Sequence, residues 1–483
     1  MLARWSQEGG YREVLRIGLP LVVSFGSTSL IHFTDRVFLA NYSLEAIAAA
    51  LPAGIVSFLF TCFFMGVAGY VNVFIAQYTG AGALQRVGAS LWQGIYFSLG
   101  AAVFLALLYF IAEPLFALSG HPPEVRVQEV IYFEILTLGA GLVVISTALS
   151  CFFSGRGLTR PVMVTNLIAA AINIPLDYML INGVGPFPEM GIAGAAIATV
   201  SSLLVMTLVF VALIFLPKDH RQFGVLSARA FDRELFRRLM NFGLPGGVQF
   251  FVDIFAFTFF VFMVGRLGSI ELAATNIVFA INTLAFLPMI GLSITASTMV
   301  GQALGANRPE LAVFSADSGL RMTLVYMSAI VLVFILAPEP LLSLFSNPKT
   351  QPGNHEAIMR TGVVLLGFVA FYTMFDGFAI VLSGALRGAG DIKFVTATMA
   401  IASFCVMLLP VFVLVEFTNA GLYWVWTCAA LYILTLTVVF WLRYRGGKWQ
   451  EMRVIEQDPG RGRPRESMPE TELKQGPGPA PHI

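Results

Sequence analysis

Charge is scarce in this 483-residue chain: Asp, Glu, Lys and Arg make up 12% of it, against 57% hydrophobic residues. With a mean hydropathy of +0.80, the shortage excludes an ordinary soluble globule and indicates a polytopic membrane protein. Length alone would suggest several soluble domains, yet apolar runs recur through residue 442 and leave room for none. A net charge of +1 carries no signal for nucleic acid, and no such partner is expected. Cysteine is scarce too. The four present, Cys62, Cys151, Cys405 and Cys428, fall inside apolar runs without a CxxC, so they read as small core hydrophobes and support no disulfide framework. Five scattered histidines add no nucleophile and base and no ligand cluster, so neither an enzyme nor a cofactor is expected. No cleavable signal is evident, because the run from Ile17 is of full spanning length and contains Asp35.

What is present is a series of long apolar runs. Read against turn and charge breaks, they give twelve candidate spans beginning near residues 17, 45, 89, 128, 161, 191, 243, 271, 318, 357, 394 and 420. An even count places both termini on one side. With that side taken as inner, only Arg36, Arg126, Arg266, Lys349 and Arg360 of the 29 Lys and Arg fall outside. The bias makes both termini cytoplasmic.

The longest interior polar break, Leu216 to Asn241, divides the spans six and six. Phe231, Leu235 and Leu239 recur in it at helical spacing among Asp232, Arg233, Glu234, Arg237 and Arg238, which predicts an amphipathic helix on the inner membrane surface. The halves echo one another: IGLP at 17–20 and FGLP at 242–245 each open a span. Gln77 and Gly80 in FIAQYTGAG match Gln302 and Gly305 in STMVGQALGAN, and SGRGLTRPVMVTNLIAAAI at 154–172 resembles RGAGDIKFVTATMAIASF at 387–404. Similar halves with the same starting side imply a parallel repeat about the membrane normal. The expected organisation is a six-helix lobe over 1–215, a cytoplasmic linker over 216–241, a second six-helix lobe over 242–442, and a disordered cytoplasmic tail over 443–483, rich in charge, Gly and Pro.

Lone ionisable groups inside these runs are the candidate functional residues. Asp376 is the one such group between Gly362 and Ala385, and Tyr372 precedes it by one turn on the same face. A carboxylate near the bilayer centre costs at least about 2.5 to 3.5 kcal/mol and usually faces a cavity or ion path. A carboxylate beside a π face suits a small cation. Asp253 is alone between Arg238 and Arg266, with Gln249 one turn earlier. Two such acids close together need a proton or a cation between them. In the first half, Asp35 follows His32 by one turn, Asn173 and Asp177 share a face across Pro175, and Thr199 could add a hydroxyl. The competing readings are an acid satisfied by a neighbouring helix and, for Asp35, an interfacial pair with Arg36.

Taken together, FTDRVFLA around Asp35, AQYTGAG, SGRGLTRP followed by Asn173 and Asp177, MGIAGAAIATV, the GLP to Asp253 spacing, VGQALGA and FYTMFDGFAIVLSGALRGAGD resemble the multidrug and toxic compound extrusion (MATE) family, of the bacterial NorM-like kind, over roughly residues 10 to 442. The resemblance implies an all-α membrane protein, with two pseudo-symmetric six-helix lobes around a cavity facing alternately in and out. It implies a monomeric antiporter that exports organic cations or other amphipathic compounds in exchange for Na⁺ or H⁺. Asp253, Tyr372 and Asp376 match the positions that hold the coupling cation in the second lobe, Na⁺ among the candidates. Asp35, Asn173, Asp177 and Thr199 match the first-lobe cation or proton site. Two positions depart from the NorM-like pattern: Asp253 stands where Glu is common and Asp177 where Asn is frequent. A lipid-linked oligosaccharide flippase is the rival of similar architecture, and it would call for a basic cavity where these spans contribute acids.

Overall fold

The computed structural model describes residues 4–216, 221–345, 354–418 and 420–456, and among them the secondary structure is helical without strands. Twelve helices are long and apolar enough to cross a membrane. They are α1 Tyr11–Tyr42, α2 Leu44–Gly80, α3 Leu84–Ala117, α4 Pro123–Ser154, α5 Thr159–Asn182, α6 Ile192–Ile214, α7 Arg233–Gly265, α8 Ser269–Gly305, α9 Pro309–Leu336, α10 His355–Ala389, α11 Ile392–Phe417 and α12 Leu422–Arg445. Local chemistry sets several of the ends. The Ser43 hydroxyl accepts the Ala46 N–H at 3.0 Å to start α2, and left-handed Gly183 and Gly390 stop α5 and α10. In α11 the backbone loosens to a π-helical turn over Ser403–Leu408 just ahead of Pro410, which has no N–H to continue the ladder.

The same helix pairing occurs in both halves. In the first, α2 packs on α4, α3 on α4, α4 on α6 and α1 on α5; adding six to each number gives the pairing in the second. The halves also meet reciprocally, with α1 against α8 and α7 against α2. Gln77 Nε2 donates to the Gly388 carbonyl at 2.9 Å, and its repeat partner Gln302 donates to the Gly155 carbonyl at 2.8 Å. A Cβ on Gly80 would run into the Gln302 backbone, and one on Gly305 into the Gln77 backbone. Glycine at these two places lets the helices of opposite halves touch main chain to main chain.

All these contacts lie where odd-numbered helices begin and even-numbered helices end, the side of both chain termini. Three apolar cores follow: one in each half, and a third at this junction that includes Leu21, Tyr70, Phe74, Phe152, Leu239 and Ile392.

Three expectations are corrected. The helix anticipated in the 216–241 linker is not a separate surface element, because Arg233–Asn241 forms the first turns of α7, with Leu235 and Leu239 buried and Phe231 exposed. Its periodicity is the one that the inner turns of a spanning helix also need, and the helix runs on through Gly243 and Pro245, which read in the sequence as the start of a new element. The segment from residue 443 is not structureless over its first fourteen residues: α12 runs to Arg445, and Trp449, Val454 and Ile455 are buried before the described chain ends at Glu456. The rest of the expected tail, 457–483, lies outside the described residues. Cys405 is exposed on the π-helical turn rather than in the core; the other three cysteines are buried.

The close approach yields a stability test. Gly80→Ala or Gly305→Ala should lower the thermal-unfolding midpoint of the purified protein, by overpacking that costs about 1 to 3 kcal/mol. Gly26→Ala should not lower it, since nothing lies within 4 Å of that position. Equal midpoints for all three would show that the junction has slack.

Candidate functional site

In the first half, α1 brings Asp35, α5 brings Asn173 and Asp177, and α6, packed on α5, brings Thr199. Asn173 and Asp177 are fully buried and Asp35 is 5% exposed. The two carboxyls lie within interaction range of one another, with the buried ring of Tyr132 from α4 close to both. Both polar atoms of the Asn173 amide, both carboxylate oxygens of Asp177, Oδ1 of Asp35 and Oγ1 of Thr199 have no hydrogen-bond partner in the protein. Buried polar atoms almost always have one. Orphaned oxygens on three packed helices mark a candidate site whose chemistry suits a proton or a small hard cation. Arg36 is exposed and leaves Asp35 Oδ1 unpartnered, so the interfacial pair considered above does not close this end of α1. His32 is exposed one turn before Asp35 and stands apart from the orphaned group.

In the second half, Asp253 on α7 and Asp376 on α10 come within range of one another, and Tyr372, 2% exposed, lies against Asp376 as the one-turn spacing requires. Both acids are half-buried. Neither is locked in an ion pair with Lys or Arg among the described residues. Gln249, one turn before Asp253, keeps Oε1 unpartnered and buried. Among the described residues no three His, Cys, Asp or Glu side chains gather into a metal-holding group. Two carboxylates with a tyrosine suit a travelling monovalent cation better than a fixed transition metal.

Two participants escape a reading of the sequence. Tyr432 of α12, 1% exposed with an orphaned hydroxyl, lies within range of both acids. Arg387, near the end of α10, lies within range of Asp253; its Nη2 donates to Ser293 Oγ at 2.8 Å and its buried Nε has no partner. Tyr432 sits in an apolar run with no marking spacing, while Arg387 counts as an ordinary inner-side charge. The one signal available for Arg387 was its place in the last turn before the Gly390 stop, inside the helix rather than after it.

Comparison with known proteins adds the family context. The family model MatE matches residues 20–179 and 245–412. The Probable multidrug resistance protein NorM of Pseudomonas putida is 29% identical over 452 residues, covering 92% of this chain and 95% of its own. The Multidrug resistance protein NorM of Burkholderia vietnamiensis is 27% identical over 382 residues, with 79% and 82% covered. Among solved structures, an outward-facing multidrug resistance MATE family transporter of the MOP superfamily superposes with a TM-score of 0.82 at 19% identity, covering 91% of this chain and 96% of its own. A MOP superfamily transporter from Pyrococcus furiosus gives 0.81 at 19% identity, with 92% and 97% covered.

If the first-half carboxylates are short of positive charge, removing one should relieve the fold. Asp177→Asn is expected to raise the thermal midpoint in detergent without added Na⁺ by about 2 °C. A fall of several degrees would mean that Asp177 is held by a partner.

Proposed function

Since the chain belongs to the MatE family, we propose that it is a secondary active efflux antiporter, which exports organic cations or other amphipathic compounds in exchange for Na⁺ or H⁺ by alternating access. The observation that carries this reading is the pair of carboxylate groups, one in each half, Asp35 with Asp177 and Asp253 with Asp376, none of them in an ion pair with Lys or Arg among the described residues. The curated relatives named multidrug resistance proteins support the substrate class. The basic bias of the loops supports cytoplasmic termini, and the reading is of a bacterial inner-membrane protein that works as a monomer without a bound cofactor.

On that orientation the halves are closed at the cytoplasmic end and the chain faces outward. A cation arriving from outside settles between Asp253 and Asp376, where the Tyr372 ring adds the attraction of its π face. In the first half, Asp35 and Asp177 share a proton or cation, with the Asn173 and Thr199 oxygens as further ligands. Neutralising either group removes the cost of enclosing it in a low-dielectric interior and favours the state that buries it. An organic cation reaching the same carboxylates from the cytoplasm competes for them, and the exchange expels it outward. A ligand moves such a balance from 1:99 to 99:1 only if it binds one state better by about 5.5 kcal/mol. A cavity lined by acids also disfavours the lipid-linked oligosaccharides a flippase would carry.

Efflux of a fluorescent organic cation from reconstituted vesicles, under Na⁺ and H⁺ gradients imposed separately, tests the proposal. The wild-type protein should respond to at least one gradient. Asp376→Asn should fall to the rate of protein-free vesicles while keeping its elution profile and thermal midpoint. Normal gradient-driven efflux in that variant would contradict the role given to Asp376.

A further inference from the structure

The short segment after α12 takes no part in the chemistry above, yet it is among the most tightly held pieces of the molecule. It is anchored in the second half. The Trp449 ring is fully buried and stacks on Tyr444 with centroids 5.1 Å apart, its Nε1 donates to the Tyr444 carbonyl at 2.8 Å, and the Tyr444 hydroxyl donates to Asp317 Oδ1 at 3.0 Å. From there the chain crosses to the first half. The Val454 N–H donates to Gln77 Oε1 at 2.9 Å, while the Val454 side chain lies against Gly390, where an added Cβ would come within 2.9 Å of it.

Glu456 completes the crossing. One carboxylate oxygen accepts from Arg86 Nε at 3.0 Å and Nη2 at 2.6 Å; the other accepts from the Tyr78 hydroxyl at 2.7 Å and Arg238 Nη1 at 2.8 Å. Arg86 is fixed in turn by Asp232 at 2.8 Å. Burial opposes the Glu456 charge, but the Tyr78 hydroxyl and Arg86 outweigh it and hold the carboxyl below the ordinary range. It is therefore an anion at neutral pH.

We infer that Trp449–Glu456 is a latch: the chain's own C-terminal segment is an internal ligand of the junction between the halves, and opening that end requires tearing it from the first half. The side chain of Gln77 carries the argument. Its Oε1 accepts from Val454 and its Nε2 donates to Gly388 of α10, so one first-half side chain is bound at both ends to second-half main chain. The helices cannot part there while both bonds stand. The latch stabilises the state closed at the termini end and makes the opposite state rarer. This inference rests on the alternating-access reading above.

Distances between nitroxide labels on the full-length protein in vesicles test it. One pair, Leu158→Cys with Glu310→Cys, reports on the termini end; the other, Leu118→Cys with Leu344→Cys, reports on the far end, each in a background where the native cysteines are replaced. Glu456→Gln keeps the shape but loses the charge facing Arg86 and Arg238. Val454→Pro removes the N–H to Gln77. Glu456→Gln should raise the ratio of wide to narrow distances at the termini end about tenfold, the order expected for losing a charge-assisted bond, and Val454→Pro about fivefold, the order for a neutral one, each with matching narrowing at the far end. High salt should widen the wild type toward Glu456→Gln and add little to that variant. Wild-type distances in both variants, with wild-type pairs still responding to Na⁺, H⁺ or a fluorescent organic cation, would overturn the latch and leave the antiporter reading standing. If neither pair moves in the wild type under any of these ligands, alternating access itself fails, and the latch with it.

Discussion

A carboxylate enclosed by apolar helices must be given something positive or a proton, and this requirement organises the molecule. Many of its buried hydroxyls return to a preceding carbonyl of their own helix, and other buried polar groups bond across to a neighbouring helix. The carboxylates of α1, α5, α7 and α10 are conspicuous among them: they face one another in pairs, and among the described residues none forms an ion pair with Lys or Arg. On the antiporter reading proposed above, a visiting ion supplies what the protein withholds.

The junction between the halves supplies the mechanical counterpart. Gln77 and Gln302 reach across to equivalent carbonyls, and Gly80 and Gly305 allow their backbones to touch. Such contacts are made together or lost together, which suits two discrete arrangements of rigid halves better than a continuous hinge. Arg387 links the two themes. It stands at the junction, where its carbonyl accepts from the Tyr70 hydroxyl of the other half at 3.2 Å, and within range of Asp253. The charge state of the second-half acids is thereby felt where the halves meet.

Much of this was legible in the sequence, for identifiable reasons. A single acid in a run of twenty apolar residues is conspicuous, so Asp253 and Asp376 declared themselves, and Asn173 with Asp177 did so by their spacing. The repeat showed because the junction tolerates only Gln and Gly at the matched places. Periodicity names a face without naming its partner, which is why the turns opening α7 passed for a surface helix. Composition describes an average. Eight residues with one tryptophan, two β-branched aliphatics and two glutamates can dock firmly inside a segment that is otherwise charged and rich in Gly and Pro. Tyr432 had no signal at all, since an aromatic in an apolar span looks the same whether it meets lipid or a carboxylate.

The central claim is that the paired carboxylates hold an exchangeable cation, and its most direct measurement is ion release from the purified protein. When an organic cation is added in weakly buffered solution at fixed Na⁺, the account predicts that H⁺ or Na⁺ leaves in proportion to the organic cation bound, and that the release disappears when Asp253 and Asp376 are both changed to Asn. Saturable binding of the organic cation with no release of either ion, or release unchanged in the double variant, would contradict it.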